Sequence, residues 1–126
     1  MKKITILFIT IVTLFSCSKD NVNNKVKIRL SNVSQYNFKN IVVNTTTGNV
    51  NFEDLEAGQK SKYKDFDKAY RYAFVELKID GKTYTLQPID YVGETLLKKG
   101  NYTYQIDVNG TINDRYSNLS LTLIED

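Results

Sequence analysis

From Lys25 to the end of the chain, apolar and polar residues take turns with a period of two. An extended strand points successive side chains to opposite faces, so this period describes strands with one face buried and one wet. Lys25–Leu30 sets Val26, Ile28 and Leu30 against Lys25, Lys27 and Arg29. Asn40–Thr45 is β-branched at Ile41, Val42 and Val43, and Phe38 shares the Ile41 face only if a bulge intervenes. Ser61–Phe66 alternates less cleanly, with Tyr63 and Phe66 as anchors. Arg71–Ile79 aligns Ala73, Val75, Leu77 and Ile79, and Lys82–Gln87 aligns Tyr84 and Leu86. The intervening Asp80-Gly81 predicts a two-residue hairpin turn, in which both residues take positive φ. Pro88 lacks an N–H and ends that ladder. Asn101–Val108 and Asn118–Ile124 complete the set with Tyr102, Tyr104, Ile106 and Val108, then Leu119, Leu121 and Leu123. No stretch of ten residues carries a helical period; residues 51–56 have room for one short helical turn. Seven short strands in about a hundred residues predict an all-β fold, a seven-stranded antiparallel β-sandwich spanning 25–126.

The first residues are of another kind. Met1-Lys2-Lys3 precedes an apolar run from Ile4 to Phe15, followed by Ser16-Cys17. A basic start, a short apolar stretch and a small residue before a break make a secretory signal, too short to span a bilayer. Leu14-Phe15-Ser16-Cys17 resembles the lipobox of bacterial lipoproteins. The resemblance implies cleavage after residue 16, lipidation of Cys17 and an anchor in the membrane. Ser18 after the cysteine, rather than Asp, implies the outer membrane, on its periplasmic or its cell-surface face. Residues 17–24 then read as the lipidated Cys and a polar tether. This gives the single Cys a purpose and leaves none for a disulfide or a Cys-rich metal site. Without Lys2 and Lys3 the 17 cationic side chains become 15, against 14 acidic ones, so no nucleic-acid partner is implied.

Two further resemblances concern the folded part. Leu97-Lys98-Lys99-Gly100-Asn101-Tyr102-Thr103-Tyr104 is similar to the tyrosine corner of immunoglobulin-like sandwiches, with the Tyr one residue early (Tyr102) or late (Tyr104). Leu55-Glu56-Ala57-Gly58 followed by Tyr63 echoes it. That resemblance implies an immunoglobulin-like fold; the sandwich expected overall is immunoglobulin-like or transthyretin-like. The chain also resembles small Bacteroidota lipoproteins, through residues 57–63 (AGQKSKY), 69–73 (AYRYA) and 87–94 (QPIDYVGE). That likeness implies no particular activity.

Catalytic chemistry has little to work with. The chain has no His, the commonest general base and metal ligand. Ser61-Lys62 is a conceivable nucleophile and base, but strand neighbours point apart. The acidic groups Glu53/Asp54/Glu56, Asp65/Asp67 and Asp90/Glu94 read better as solvated loops than as a hydrolase pair. Residues 107–114 hold oxygen ligands at a loosely calcium-like spacing, without the terminal Glu of an EF-hand. No cofactor and no catalytic residue is therefore expected.

Two segments remain. Residues 60–72 interleave five cations with four aromatics. Inward packing of Tyr63, Phe66 and Tyr70 under outward lysines is the favoured reading, and a recognition surface is the alternative. Residues 89–95 cap the core or form a recognition loop. The candidate surface is therefore Lys62, Tyr63, Lys64, Tyr70, Tyr72, Asp90 and Tyr91. The expected protein is a lipid-anchored envelope component, not an enzyme, that binds an envelope protein or a glycan. An accessory subunit pairing through a strand edge is second, and an envelope hydrolase ranks last.

Overall fold

The computed structural model describes residues 25–88, 91, 93–110 and 118–126. The leader, Cys17, the tether, Asp90 and most of the 109–115 loop lie outside them. Among the described residues there are eight strands and no helix: β1 (Val26–Asn32), β2 (Lys39–Asn44), β3 (Asn49–Phe52), β4 (Lys64–Phe66), β5 (Phe74–Ile79), β6 (Lys82–Leu86), β7 (Gly100–Asn109) and β8 (Asn118–Glu125). They form two four-stranded sheets, ordered β4-β1-β7-β8 and β3-β2-β5-β6. The all-β expectation holds, and the arrangement is consistent with a sandwich.

The strand count corrects the sequence reading. Residues 51–56 make no helical turn: Asn51 and Phe52 belong to β3, and Leu55 bridges to Phe38. Four residues, Asn-Val-Asn-Phe, are too few for a period to stand out, and β3 exists because β2 is there to pair with it. The sheets are also not wholly antiparallel. β1 and β7 run parallel from Val26↔Gly100 to Asn32↔Ile106. The two strands are far apart in sequence, so no hairpin fixes their relative direction.

The alternating residues form a shared core. Ile28, Leu30 and Ile106 from the first sheet and Val43, Val75 and Leu77 from the second are buried in one cluster. Each such side chain contributes roughly 1.5–3 kcal/mol by leaving water. Phe52 and Phe66 stack across the sheets with centroids 6.3 Å apart. The β5–β6 turn behaves as expected, with Asp80 at φ 50° and Gly81 at φ 81°.

The bulge near Phe38 is also present. The β2–β5 register shifts between Lys39↔Lys78 and Val42↔Glu76, and Asn40 sits at φ 51°. The extra residue is absorbed there, so Phe38 and Ile41 both face inward. It also leaves Val42 and Asn44 on the outer face of the second sheet.

One tyrosine corner forms. The Tyr102 hydroxyl donates to the Lys98 carbonyl at 2.7 Å. The second proposed corner does not: the Tyr63 hydroxyl donates instead to Asp126 Oδ2 at 2.7 Å, far from the Leu55–Gly58 turn.

Candidate functional site

The residues expected to form one surface separate into two groups. Lys62, Tyr63 and Lys64 lie at the β4 edge. Lys64 Nζ donates to the Asn51 carbonyl and lies 5.1 Å from the Phe52 ring centroid, so it ties the two sheets together along this edge. Tyr63 does not pack inward. It is exposed, with the Arg29 guanidinium 4.9 Å above its ring. Both side chains serve the fold. Ser61 does too: its Oγ accepts from the Leu30 N–H and donates to the Lys62 carbonyl, so it is no free nucleophile.

Asp126 gathers this corner. Its Oδ2 accepts hydrogen bonds from Tyr63 and from Thr103 Oγ1, both at 2.7 Å, and Thr103 in turn accepts from Arg29 Nε at 3.0 Å. Burial opposes its ionisation. The Thr103 and Tyr63 bonds and the charges of Arg29 and Lys60 outweigh it, holding the carboxyl below its usual 3.8. A depressed carboxyl stabilises the fold above its unfolded pKa and loses that contribution as pH falls through the lower folded value. Urea midpoints should therefore fall between pH 5 and pH 2, and Asp126→Asn should flatten part of that slope while lowering the pH 7 midpoint. An identical acid slope in the variant would remove this role.

Tyr70, Tyr72 and Tyr91 do come together. Tyr91 lies 4.7 Å from Tyr70 and 5.8 Å from Tyr72 between ring centroids, so the three half-buried rings form a stack. Hydrogen bonds hold the segment that carries Tyr70 and Tyr72. The hydroxyl of fully buried Tyr104 donates to the Tyr70 carbonyl at 2.7 Å, and Tyr72 donates to Glu94 Oε1 at 2.7 Å. Thr45, also fully buried, bonds the Lys68 carbonyl, and Leu97 N–H bonds the Ala69 carbonyl. Residues 68–72 are thereby tied to Tyr91, Glu94 and Leu97, to Thr45 just past β2 and to Tyr104 in β7. Burial raises the Tyr91 hydroxyl above its ordinary 10.0 despite a backbone hydrogen bond at Phe74, and Tyr70 adds to the rise.

Tyr91 also walls a cleft of about 330 Å³, with Asn44, Thr46, Asn49, Phe74 and Gln87. The cleft floor is a cross-strand row on the outer face of the second sheet: Asn49 opposes Asn44, and Asn44 opposes Phe74. Asn44 Nδ2 donates to Asn49 Oδ1 at 2.9 Å, and Asn44 Oδ1 accepts from the Thr46 N–H at 2.7 Å. That bond holds Thr46 at φ 96°, a conformation a β-branched residue rarely adopts and one that functional loops favour. Among the described residues, the Gln87 amide and Asn49 Nδ2 have no hydrogen-bond partner. Sequence reasoning missed every member of this cleft except Tyr91. The Asn44…Asn49 pair frames a turn whose return strand had not been recognised.

A second cleft, about 440 Å³, lies between the 93–98 segment and β8. Arg71, Lys98, Glu94 and Glu125 give it both signs of charge, beside Leu97 and Leu123. Among the described residues no helix is long and apolar enough to cross a membrane, and no three His, Cys, Asp or Glu side chains converge as metal ligands.

No family model matches this chain, and no curated protein matches it. Among solved structures, an NMR structure of a protein from Eubacterium rectale superimposes with a TM-score of 0.54. The match covers 84% of this chain and 94% of that one at 16% identity, a likeness of fold alone.

Proposed function

We propose that this chain is a lipid-anchored protein of the cell envelope whose sandwich works as a non-catalytic binding module. Acylation of Cys17 would hold it in the outer membrane, with residues 17–24 as the tether. The observation that carries the binding reading is the cleft of Asn44, Thr46, Asn49, Phe74, Gln87 and Tyr91. It combines pinned aromatic walls with hydrogen-bonding groups left unused by the fold. Pre-formed clefts of this make-up suit ligands, and turnover needs an activated group that none of these six supplies.

For the finer fold we favour a transthyretin-like sandwich over an immunoglobulin-like one. Immunoglobulin domains keep their first two strands in one sheet. Here β1 and β2 lie in different sheets, and each sheet has four strands.

A second reading, an accessory subunit that pairs through a strand edge, draws on β8. That edge strand runs eight residues with neither Lys nor Pro. The edges β3 and β4 are only four and three residues long, and β6 opens on Lys82. Edges without such guards are the ones that accept a partner strand.

Two experiments test these readings. Three acyl chains at ~0.8 kcal/mol per buried CH₂ hold a protein to a membrane far more firmly than one. Cys17→Ala should therefore move the protein from the membrane pellet to the soluble fraction and remove the diacylglycerol mass from residue 17. An unchanged pellet would count against the anchor. Photo-crosslinkers placed at Thr47, beside the cleft, and at Thr122, on β8, then separate the modes in native membranes. Adducts at Thr47 support the cleft, adducts at Thr122 alone favour the edge, and none at either removes both.

A further inference from the structure

The cleft's chemistry narrows its ligand. None of its six lining residues carries a charge at neutral pH. On the same sheet face, the next row from Asn44 and Phe74 pairs Val42 with Glu76, a carboxylate. The row beyond it pairs Lys39 with Lys78, so the charges outside the cleft are mixed, but an anionic ligand would find no countercharge among the lining residues, and burying an unpaired charge is costly. Nucleotides and phosphorylated or sulfated compounds are therefore disfavoured.

What the walls do offer is specific. Side-chain amides present a donor and an acceptor side by side, a match for adjacent hydroxyl groups that each donate and accept. Gln87 keeps both functions, Asn49 keeps its NH₂ and Thr46 has its hydroxyl. Beside them, Phe74 in the floor and Tyr91 in the wall add aromatic surface for C–H groups, and such contacts are individually weak but add up. A peptide docking by strand addition would instead use the backbone of an edge strand. These polar groups are side chains across a sheet face.

We infer that the cleft binds a neutral saccharide, with Phe74 and Tyr91 on its C–H groups and Gln87, Asn49 and Thr46 on its hydroxyls. The inference rests on the binding-module reading and names the ligand class for the same cleft. The volume of about 330 Å³ is at the small end of ligand sites, which run from about 300 to 1,000 Å³. The cleft therefore takes a short stretch of a chain or a terminal unit. Recognition without charge leaves affinity insensitive to salt.

The test uses the full-length acylated protein in a sugar-free detergent. Calorimetric titration with malto-, cello-, laminari-, xylo- and manno-hexaose is compared with polygalacturonate and with an unbiased peptide mixture. At least one neutral oligosaccharide should bind, with less than a twofold change between 0.05 and 0.5 M NaCl. Tyr91→Ala should weaken it at least tenfold and Gln87→Ala about fivefold, while Thr122→Ala leaves it unchanged. Circular dichroism and urea midpoints show whether each variant is folded, and Gln87→Ala, at an exposed position, keeps the test valid if Tyr91→Ala is not. Three results overturn the inference: no neutral saccharide binds, the cleft variants bind as wild type does, or polygalacturonate is preferred. If a peptide binds instead and Gln87→Ala abolishes it, the saccharide class falls and the binding module stands. If neither a saccharide nor a peptide binds and Thr47 yields no adduct in native membranes, both fall.

Discussion

Phe38→Ala is expected to lower the stability of the domain by about 4 kcal/mol, within the 3–5 kcal/mol usual for a buried Phe truncated to Ala. Phe38 is fully buried, and its backbone exchanges two hydrogen bonds with Leu55, at 2.8 and 3.0 Å. The neighbouring backbone cannot easily collapse into the space left behind. Asn40 shows how much depends on the bulge that seats this ring. At φ 51°, with its N–H bonded to Asp54 Oδ1 at 3.1 Å, Asn40 occupies a left-handed position that Asn tolerates. Asn40→Val should cost about 1–2 kcal/mol through that conformation alone. Urea unfolding of both variants checks the pair. A loss below 1 kcal/mol for Phe38→Ala would mean that Phe38 is not in the core.

The same bulge links fold to site. A regular strand of this length carrying Phe38 inward would turn Asn44 inward as well, because side chains alternate. Absorbing one residue at Asn40 keeps Phe38, Ile41 and Val43 in the core and leaves Asn44 on the outer face, facing the cleft. Sequence alone carried this far: Phe38 and Ile41 stand three apart, so sharing a face demands an extra residue between them. The consequence for Asn44 could be drawn only once the outer face had partners, Asn49 on one side and Phe74 on the other.

Alternation made the larger strands legible because burial of one face imposes it residue by residue. It failed where strands were too short or where distant pairing decided. β4 begins at Lys64 rather than Ser61, because the pairing with β1 slips by one residue between Ile28↔Lys64 and Ser31↔Lys60, and Ser61 sits inside that slip, bonded to Leu30 and Lys62. β5 begins at Phe74 rather than Arg71, which frees residues 67–73 to carry Tyr70 and Tyr72 toward Tyr91. The tyrosines themselves were visible as candidates. That they would stack with Tyr91 and not with Tyr63 depended on the Tyr104 hydroxyl reaching the Tyr70 carbonyl, a contact 34 residues apart. No local pattern encodes such a contact.

The most consequential residue that sequence reading passed over is Asn32, and Asn32→Ala is expected to cost about 3 kcal/mol. The side chain is fully buried and its hydrogen-bonding capacity is used in full. Nδ2 donates to the Tyr36 carbonyl at 2.7 Å and the Leu55 carbonyl at 3.2 Å, while Oδ1 accepts from the Ser34 N–H and hydroxyl at 2.9 and 2.7 Å. Its own backbone bonds Gln59 and Gly58. Asn32 therefore fastens the end of β1, the turn into β2 and the segment after β3 to one point. Truncation leaves several of these buried groups unpaired, at about 1–3 kcal/mol each before relaxation and water entry. The Ser34 hydroxyl, freed from Asn32, can give its proton to the Tyr36 carbonyl 3.2 Å away, which holds the total near the low end of the sum. Asn32→Asp retains the acceptor, loses both donors and turns a buried charge toward two carbonyls, so it should be worse than Ala at pH 7 and recover as pH falls. Equal stability of the Asp variant at pH 7 and pH 4 would show that the side chain is not enclosed as described.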